Sequence, residues 1–535
     1  MGVIPEQDGA RVFETHRASS GNDGSVFDVI VIGAGMGGMS AAAALARLGR
    51  RVLLLEQHYL PGGYTHMFER QGFAFDVGVH ALGELREKDV CRRMLNYLAE
   101  GEVPMRHLGD PYDRFRFPDG FRIDFPANGY AFADSLKAAF PDQADAVTRY
   151  LSLARQAASS ARVLFAARAL PATLGGWLRG AQRAIGRDWW SLTTADVLDE
   201  AGVTGQLRNV LAAQWGYIGE PPASAAFPIQ ALVHSHYANG AWYPVGGSKA
   251  LAAALVGTVK RRGGRCLVRA EVETVTTDEG RADGVRLADG TEFKAPIVIS
   301  AAGARTTAAR LAPRELRDSP WSKAILELPS SPPYLCLNLG FEGDIAAAGA
   351  QPSNLWLFSN WNENECHWNA AEAGSLPHIL YVSFPSLKDP EHRAGPDQKH
   401  TGECVTFVPW DLFAPFADSS FGQREAAYIQ LKEDLTARMV AKLREALPEV
   451  AEMIVYKDLS TPLSAEHFVH AHRGAIYGLA TTPERFACPS LRARTPVKGF
   501  YLSGVDMGGP GVAGAMAAGI LTAAAIDARA WRRLL

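Results

Sequence analysis

Cysteine is scarce in this sequence: only six of its 535 residues are cysteine, and they are widely scattered. None belongs to a C-x-x-C pair, so the sequence indicates neither a zinc site nor a disulfide framework, and we expect a reduced, cytosolic setting. The H-E-x-x-H spacing of zinc hydrolases is also missing, as is any Ser-His-Asp set. We therefore predict no metal site.

Long apolar runs and a large excess of charge are missing as well. No stretch of about 18 uninterrupted apolar residues occurs, so no spanning helix is predicted. The formal net charge of −3 argues against a general nucleic-acid binder. Residues 1–25 are polar and lack the apolar core of a signal peptide, so we expect them to form a loose lead-in. A chain of this length is expected to form two or more substructures.

The strongest pattern lies at residues 27–56, which read FDVIVIGAGMGGMSAAAALARLGRRVLLLE. The apolar, β-branched run 27–32 is typical of a buried parallel strand. A small-residue helix is predicted over 39–48, and a second strand over 51–55. G-x-G-x-x-G alone is weak evidence, but strand, glycine turn, helix and strand together indicate a dinucleotide-binding fold.

Each part of this motif has a physical task. Gly33 permits a tight turn, Gly35 lets the backbone approach a pyrophosphate, and Gly38 lets the helix pack closely on the strand. The helix N-terminus then faces the phosphates. Glu56 ends the second strand, where its carboxylate can accept hydrogen bonds from ribose hydroxyls.

Two further motifs follow directly. Gly62-Gly63 comes soon after Glu56, and residues 68–80 read F-x-x-x-G-F-x-F-D-x-G-x-H. With these motifs the chain resembles the phytoene desaturase superfamily of FAD enzymes, and it is most similar to the retinol saturase and carotenoid isomerase branch. The same likeness is carried by three later stretches: 214–222, 236–248 and 499–519.

The resemblance implies an α/β fold of the amine-oxidase and phytoene-desaturase type. A Rossmann-like FAD-binding domain, discontinuous in sequence, would comprise 26–110, 243–305 and 490–535. An α+β domain that faces substrate and membrane would comprise 111–242 and 306–489.

Local patterns add detail to this outline. Periodicity predicts a helix at 249–261 and strands at 265–268 and 334–341. Asp119-Gly120 is predicted to be the turn of a hairpin.

The resemblance also implies the cofactor contacts. The residues expected to contact FAD are Gly33, Gly35, Gly38, Glu56, Gln57, Gly62, Gly63, His66, Val272, Gly504, Asp506, Gly511 and Val512. The Val272 backbone would lie on the adenine, and a helix beginning near Gly511 would direct its amides at the flavin. Many relatives have Arg after the Gly-Gly pair, at the FAD phosphates, whereas this chain has Tyr64. That phosphate contact must come from elsewhere or be absent.

Flavin chemistry needs few catalytic side chains, because the cofactor itself takes or gives the hydride. The protein must supply a dry apolar tunnel that holds a C–C bond against flavin N5. The predicted catalytic residues are His80, His236 and Tyr243. The predicted tunnel walls are aromatic: Trp215, Tyr217, Trp242, Tyr243, Trp356 and Phe358. Each of these side chains is also compatible with a purely structural role.

The predicted function is an FAD-dependent oxidoreductase that inserts or removes a C=C bond in a long lipophilic chain. The family resemblance suggests that this chain would be a carotenoid, a retinoid or an unsaturated fatty-acyl lipid. The lack of a second nucleotide-binding motif mildly favours desaturation, with electrons leaving to oxygen or a quinone. Two alternatives stay open: a flavin-dependent cis–trans isomerase without net redox change, and a non-catalytic flavin- or lipid-binding protein. The oligomeric state also stays open.

The segment 151–187 contains six Arg and neither Asp nor Glu. On a helix, the basic face would comprise Arg179, Arg183 and Arg187, and the opposite face Trp177, Leu178 and Ile185. A basic amphipathic helix with a tryptophan is typical of a helix that lies in a lipid interface. We therefore expect peripheral binding to an anionic membrane surface, and an ordinary helix with a solvated arginine face is the alternative.

Overall fold

The computed structural model describes residues 12–17 and 26–533. The strands, in chain order, are β1 (Glu14–Thr15), β2 (Val29–Ile32), β3 (Val52–Leu55), β4 (Met67–Arg70), β5 (Phe73–Asp76), β6 (Met105–His107), β7 (Asp113–Arg116), β8 (Arg122–Phe125), β9 (Trp242–Pro244), β10 (Arg265–Val268), β11 (Val272–Asp278), β12 (Arg281–Leu287), β13 (Glu292–Lys294), β14 (Val298–Ser300), β15 (Tyr334–Glu342), β16 (Asn354–Phe358), β17 (Ile379–Ser383), β18 (Lys399–Phe407), β19 (Ile454–Ser460) and β20 (Phe500–Leu502). The α-helices are α1 (Met36–Arg47), α2 (Val90–Ala99), α3 (Gly129–Ala139), α4 (Ala144–Ala169), α5 (Ala172–Ile185), α6 (Thr194–Glu200), α7 (Gln206–Ala212), α8 (Phe227–Tyr237), α9 (Lys249–Arg261), α10 (Ala304–Thr306), α11 (Arg314–Arg317), α12 (Pro320–Leu326), α13 (Pro385–Lys388), α14 (Ala426–Ala446), α15 (Pro448–Glu452), α16 (Pro462–Val469), α17 (Pro483–Ala487) and α18 (Gly511–Ile526).

A six-stranded parallel sheet carries the glycine motif. Its strand order is β1-β10-β3-β2-β14-β20, and every neighbouring pair is parallel. The sequences VIVI of β2 and VLLL of β3 are fully buried, as expected for strands covered on both faces. Because the strands are parallel, the loops that follow them meet at one edge of the sheet, where α/β proteins bind ligands.

Two details of the N-terminal region differ from the sequence predictions. Helix α1 begins at Met36 instead of residue 39, because the glycines after Gly35 already have helical backbone. Glu14–Thr15 pairs in parallel with β10, so this part of the predicted loose lead-in is ordered at the sheet edge. The other residues of that lead-in, apart from 12–17, lie outside the described residues.

Most of the local patterns are confirmed. Helix α9 and strand β10 have the predicted bounds, and β15 ends one residue later than predicted. Asp119 and Gly120, with φ of 58° and 74°, turn the chain between the antiparallel strands β7 and β8. Both positive φ values suit an Asp-Gly turn.

The second large sheet has the strand order β19-β15-β18-β17-β16-β7-β8. Only the β16–β7 pair is parallel among its described strands. Side chains alternate between the faces of a strand, so Leu335 and Leu337 pack with Leu435 of α14, whereas Tyr334 and Cys336 point the other way. The second face carries the aromatic side chains that reach the cavity described below.

Pro171 divides the arginine-rich segment into α4 and α5. The two helices pack closely at Gly175, where a Cβ would lie 2.2 Å from the Ala167 carbonyl oxygen. Leu174 and Trp177 of α5 are 54% and 71% exposed. No helix within 12–17 and 26–533 combines the length and the hydropathy needed to cross a membrane.

Candidate active site

One long cavity of about 350 Å³ begins at the carboxyl edge of the parallel sheet and reaches the aromatic face of the second sheet. Twelve of the thirteen predicted FAD contacts line it: Gly33, Gly35, Glu56, Gln57, Gly62, Gly63, His66, Val272, Gly504, Asp506, Gly511 and Val512. They come from four separate regions of the sequence, and the fold brings them to one wall.

The glycine turn has the geometry that its sequence predicts. Gly33 has a φ of +92°, which L side chains rarely adopt. Gly38, the thirteenth predicted contact, does not line the cavity and faces the turn instead. A Cβ at Gly38 would lie 1.9 Å from the Gly33 carbonyl oxygen, so only glycine allows α1 to start this close to β2.

Glu56 is buried at the end of β3 and is fixed by backbone amides. Its Oε2 accepts a hydrogen bond from Ala34 N at 2.7 Å, and its Oε1 accepts one from His58 N at 2.9 Å. Burial raises the pKa of the carboxyl group, while these hydrogen bonds to the charged form oppose that shift. The carboxylate therefore stands at the cavity wall in a defined orientation.

Two helices begin at the cavity without a side-chain cap. The N-cap residues Gly35 of α1 and Pro510 of α18 provide no side-chain hydrogen bond, and neither helix has an acid in its first turn. Their first amides are thus available to a ligand, and helix N-termini favour anions. A Cβ placed on Gly35 would meet no atom within 4 Å, which leaves room for a phosphate against the backbone. These features fit a bound dinucleotide with its pyrophosphate at α1.

Asp506 organises the wall near α18. The buried carboxylate accepts hydrogen bonds from Ala304 N at 2.7 Å and from Leu479 N at 2.8 Å. It therefore ties the loop after β14 to the segment before α17, and both segments line the cavity. Asp506 therefore both lines the cavity and holds two neighbouring segments of its wall in place.

Tyr64, in the position of the arginine of many relatives, lines the cavity as a neutral phenol, because burial raises its pKa to about 12. Cationic side chains reach the same cavity from another element: Arg305 and Arg310 lie on the segment after β14. Arg305 already donates to backbone carbonyls, including Leu326 O at 2.9 Å, and Arg310 lies 3.2 Å from Glu271. Arg310 is also more exposed than Arg305, so it is the better candidate for the phosphate contact.

The far end of the cavity is aromatic. The rings that line it belong to Tyr217, Tyr334, Trp356, Tyr381, Phe407 and Tyr477. Of the six predicted tunnel walls, Tyr217 and Trp356 line the cavity, whereas Trp215, Trp242, Tyr243 and Phe358 do not. Tyr381 on β17 and Phe407 on β18 lie on the strand faces that border the cavity. The sequence shows that side chains alternate between the two faces of these strands, but it does not show which face would meet the cofactor.

His80 is the one predicted catalytic residue that lines the cavity, and its ring lies 5.1 Å from the ring of Tyr381 on the aromatic wall. Its Nδ1 is 2.9 Å from Oε2 of the fully buried Glu403. Burial and the nearby Lys388 lower the pKa of His80 to about 3, so the ring is neutral at pH 7.

The other two predicted catalytic residues have different positions. His236 accepts a hydrogen bond from Gly83 N at 2.7 Å and stays outside the cavity lining. The Tyr243 hydroxyl donates to Asp76 in the core, also away from the cavity. The cavity geometry therefore gives no support to a catalytic role for either side chain, and both roles stay predictions.

A buried polar network that the sequence did not reveal lies behind the aromatic wall. Lys388 Nζ donates to the His80 carbonyl oxygen at 2.7 Å, to Asn354 Oδ1 at 2.6 Å and to Ser383 Oγ at 2.8 Å. Asn354 Nδ2 in turn donates to Asp113 Oδ1 at 2.8 Å. Such a network fixes the wall, because breaking it would leave buried charges unpaired.

Comparison with known proteins places this cavity in context. The model of the family described as flavin containing amine oxidoreductase matches residues 36–527. All-trans-retinol 13,14-reductase of Danio rerio is 32% identical over 522 residues, which cover 93% of this chain and 85% of the relative. Prolycopene isomerase 1 of an Oncidium hybrid cultivar is 26% identical over 469 residues, which cover 84% of this chain and 75% of the relative.

A solved structure shows the same fold. Cyclohexylamine oxidase from Brevibacterium oxydans superposes with a TM-score of 0.58 at 17% identity, and the match covers 95% of this chain and 99% of that one. These comparisons confirm the predicted fold class and FAD cofactor, and the relatives confirm the predicted resemblance to the retinol saturase and carotenoid isomerase branch.

Proposed function

The chain belongs to the flavin containing amine oxidoreductase family and is an FAD-dependent oxidoreductase, and on this premise we propose that it reduces a C=C bond of a retinoid- or carotenoid-like polyene. The observation that carries the proposal is the continuity of the cavity from the glycine turn to the aromatic wall. A rigid, apolar polyene fits such a wall, because aromatic rings can bury its apolar surface.

Each end of the cavity has a defined task. The residues at the sheet edge bind FAD: amides of α1 and α18 face its anionic groups, and Glu56 accepts hydrogen bonds from the ribose. When bound, FAD supplies or accepts the hydride at its N5 atom. The aromatic rings exclude water and align the polyene, and His80 exchanges a proton with the carbon next to the one that exchanges the hydride.

The direction of the reaction is part of the proposal. The name of the Danio rerio relative, a retinol reductase, supports saturation. Saturation needs an external electron donor, whereas desaturation would pass electrons to oxygen or a quinone. Isomerisation without net redox change is the second candidate function, supported by the name of the Oncidium relative.

Product analysis separates these outcomes. The holoenzyme, reduced with dithionite and freed of oxygen, is incubated with retinol and with a linear carotene, and the products are analysed by chromatography and mass spectrometry. A product that gains two hydrogen atoms supports the proposal. Loss of two hydrogen atoms by oxidised enzyme would indicate desaturation, and an unchanged mass with altered retention would indicate isomerisation. An unchanged polyene under every condition would refute all three.

We also propose that the protein takes its substrate from a membrane surface through α5. The exposed Leu174 and Trp177 support this idea, since a polyene is dissolved in lipid. One arginine of the predicted basic face is already paired within the protein, because Arg187 forms an ion pair with Glu200. The side chains of Arg183 and Ile185 lie outside the described side chains.

A further inference from the structure

Reduction of a C=C bond, the reaction proposed above, needs a proton as well as a hydride, so the cavity must hold a proton donor. Tyr217 is turned the wrong way for this task, because its hydroxyl donates to Asp113 at 3.0 Å and accepts from Asn354 Nδ2 at 3.0 Å. His80 lines the cavity, and its Nε2 has no partner among the described residues. Its Nδ1 is buried against Glu403.

Glu403 occupies an unusual place for a charged residue. It lies in the otherwise uncharged stretch 401–407 of β18 and is fully buried. Its Oε1 accepts a hydrogen bond from Asp76 N at 3.0 Å. Its Oε2 is 2.9 Å from His80 Nδ1, off the ideal hydrogen-bond direction, and neither atom has another partner among the described residues. The geometry thus joins one buried carboxyl oxygen to the rear nitrogen of the ring that lines the cavity.

We propose that Glu403 is a positioning residue that holds His80 with its proton on Nε2 and resupplies that proton through Nδ1. During reduction, one carbon of the double bond receives the hydride of reduced FAD. The neighbouring carbon receives the Nε2 proton of His80, while Nδ1 takes the proton of the Glu403 carboxyl group. The double bond becomes a single bond with two new C–H bonds, the flavin is oxidised, and Glu403 is left as a carboxylate.

The charges around Glu403 suit this cycle. Burial raises the pKa of Glu403 to about 8, so at pH 7 the proton is on the carboxyl group and His80 is neutral. The titratable groups that face it are Asp76 on β5, His80 on the following loop and Lys388 at the end of α13. The Lys388 ammonium, held by three oxygen acceptors, favours the carboxylate that forms when the proton leaves.

The variant Glu403→Gln keeps the size and the hydrogen-bonding capacity of the side chain but removes the transferable proton. Because general acid catalysis contributes about 10²–10⁴-fold, E403Q should slow reoxidation of the dithionite-reduced holoenzyme by retinol by about 10²-fold or more. FAD content and the retinol-induced change in the flavin spectrum should stay as in the wild type. Glu220→Gln is the matched control, since Glu220 is a buried carboxyl group outside the cavity lining.

The dependence of the rate on the deuterium fraction of the solvent separates this role from a structural one. Two protons move together in the wild type and in E220Q, so a plot of the rate against the deuterium fraction should be curved. Only the His80 proton moves in E403Q, so the same plot should be linear for that variant. A wild-type rate, or a curved plot, in E403Q would overturn the proposal.

A second readout needs no turnover. Histidine ¹⁵N shifts, with the His80 signals assigned through His80→Gln, should show the proton on Nε2 at pH 7 in the wild type and a changed distribution in Glu403→Leu, whose side chain cannot donate to Nδ1. If the shifts show the proton on Nδ1, the proposed role of Glu403 fails even if the enzyme reduces polyenes. If the shifts agree but no polyene reoxidises the flavin, the proposed function fails instead.

Discussion

The Glu56 carboxylate binds the backbone of the glycine turn directly, since its Oε2 accepts a hydrogen bond from Ala34 N at 2.7 Å. The two residues are 22 positions apart and lie at the ends of the neighbouring strands β2 and β3. The contact therefore fixes the acid expected at the ribose relative to the turn expected at the pyrophosphate. The nucleotide end of the cavity is preorganised by the protein itself.

Glu56→Arg should deplete the protein of FAD. The change removes the acceptor for Ala34 N and places a cation in a buried site that already faces amide donors. Hydrogen bonds to charged groups contribute about 1.5–3 kcal/mol, and about 1.4 kcal/mol is a tenfold change in affinity, so the affinity for FAD should fall at least about tenfold and the bound FAD should fall with it. The flavin absorbance per protein and the FAD released on denaturation measure it. Glu69→Arg, at an exposed position of β4, is the control, and equal FAD content in both variants would contradict the assignment.

Gly38→Ala should destabilise the fold, whereas Gly176→Ala should not. The new methyl group at residue 38 would overlap the Gly33 carbonyl oxygen, and overpacking costs about 1–3 kcal/mol. At Gly176 on α5 a Cβ meets nothing within 4 Å, and alanine stabilises a helix by about 0.4–1 kcal/mol. Thermal unfolding of the two variants and the wild type tests this. A G38A protein as stable as the wild type would show that α1 can move away from β2 at little cost.

Glu220 gives a pH dependence with a defined sign. Burial raises its pKa to about 7 from an ordinary value near 4.5, so between these values the folded state binds more protons than the unfolded state. Its contribution to stability is therefore present below pH 4.5 and is lost as the pH rises through 7. Glu220→Gln resembles the protonated form at every pH. We therefore expect the melting temperature of E220Q minus that of the wild type to be larger at pH 8 than at pH 5. A difference that does not change with pH would contradict the raised pKa.

The double variant Leu174→Ser/Trp177→Ser should weaken binding to liposomes. Both side chains project from α5 into solvent, and burying each in a lipid interface would remove apolar surface from water. Co-sedimentation with vesicles of phosphatidylcholine and phosphatidylserine measures the effect, and the flavin spectrum shows that the fold is intact. Phe421→Ser, a change at another exposed aromatic residue, is the control. If the double variant sediments like the wild type, lipid enters at another surface.

The sequence was sufficient for the parts of the site that depend on local structure. Gly33, Gly35 and Glu56 belong to one continuous strand–turn–helix–strand unit, whose physical tasks can be assigned without knowing the rest of the fold. Helix α18 likewise begins at Gly511, where the motif predicted it. The start of α1 was missed by three residues because glycine disfavours helices on average, while here close packing against β2 requires it.

The substrate end could not be assembled in the same way. His80 and Glu403 are more than 300 residues apart, and only the pairing of strands and the packing of the hairpin β4–β5 bring them together. The sequence held one usable signal, the single charged residue in the stretch 401–407 of β18. His236 and Tyr243 lie in a stretch that carries the family likeness but outside the cavity lining, because likeness does not say which way a side chain points.

Reduction of a polyene at the flavin, the reaction that we propose for this chain, can be followed in a single turnover. The purified holoenzyme is reduced with one equivalent of dithionite without oxygen and mixed with retinol in a stopped-flow instrument, and the flavin absorbance is followed. We expect the oxidised flavin spectrum to return at a rate that saturates with retinol, and one retinoid that has gained two hydrogen atoms to form per flavin. A flavin that stays reduced with retinol and with carotenes, yet reoxidises when air is admitted, would show that this chain does not reduce polyenes.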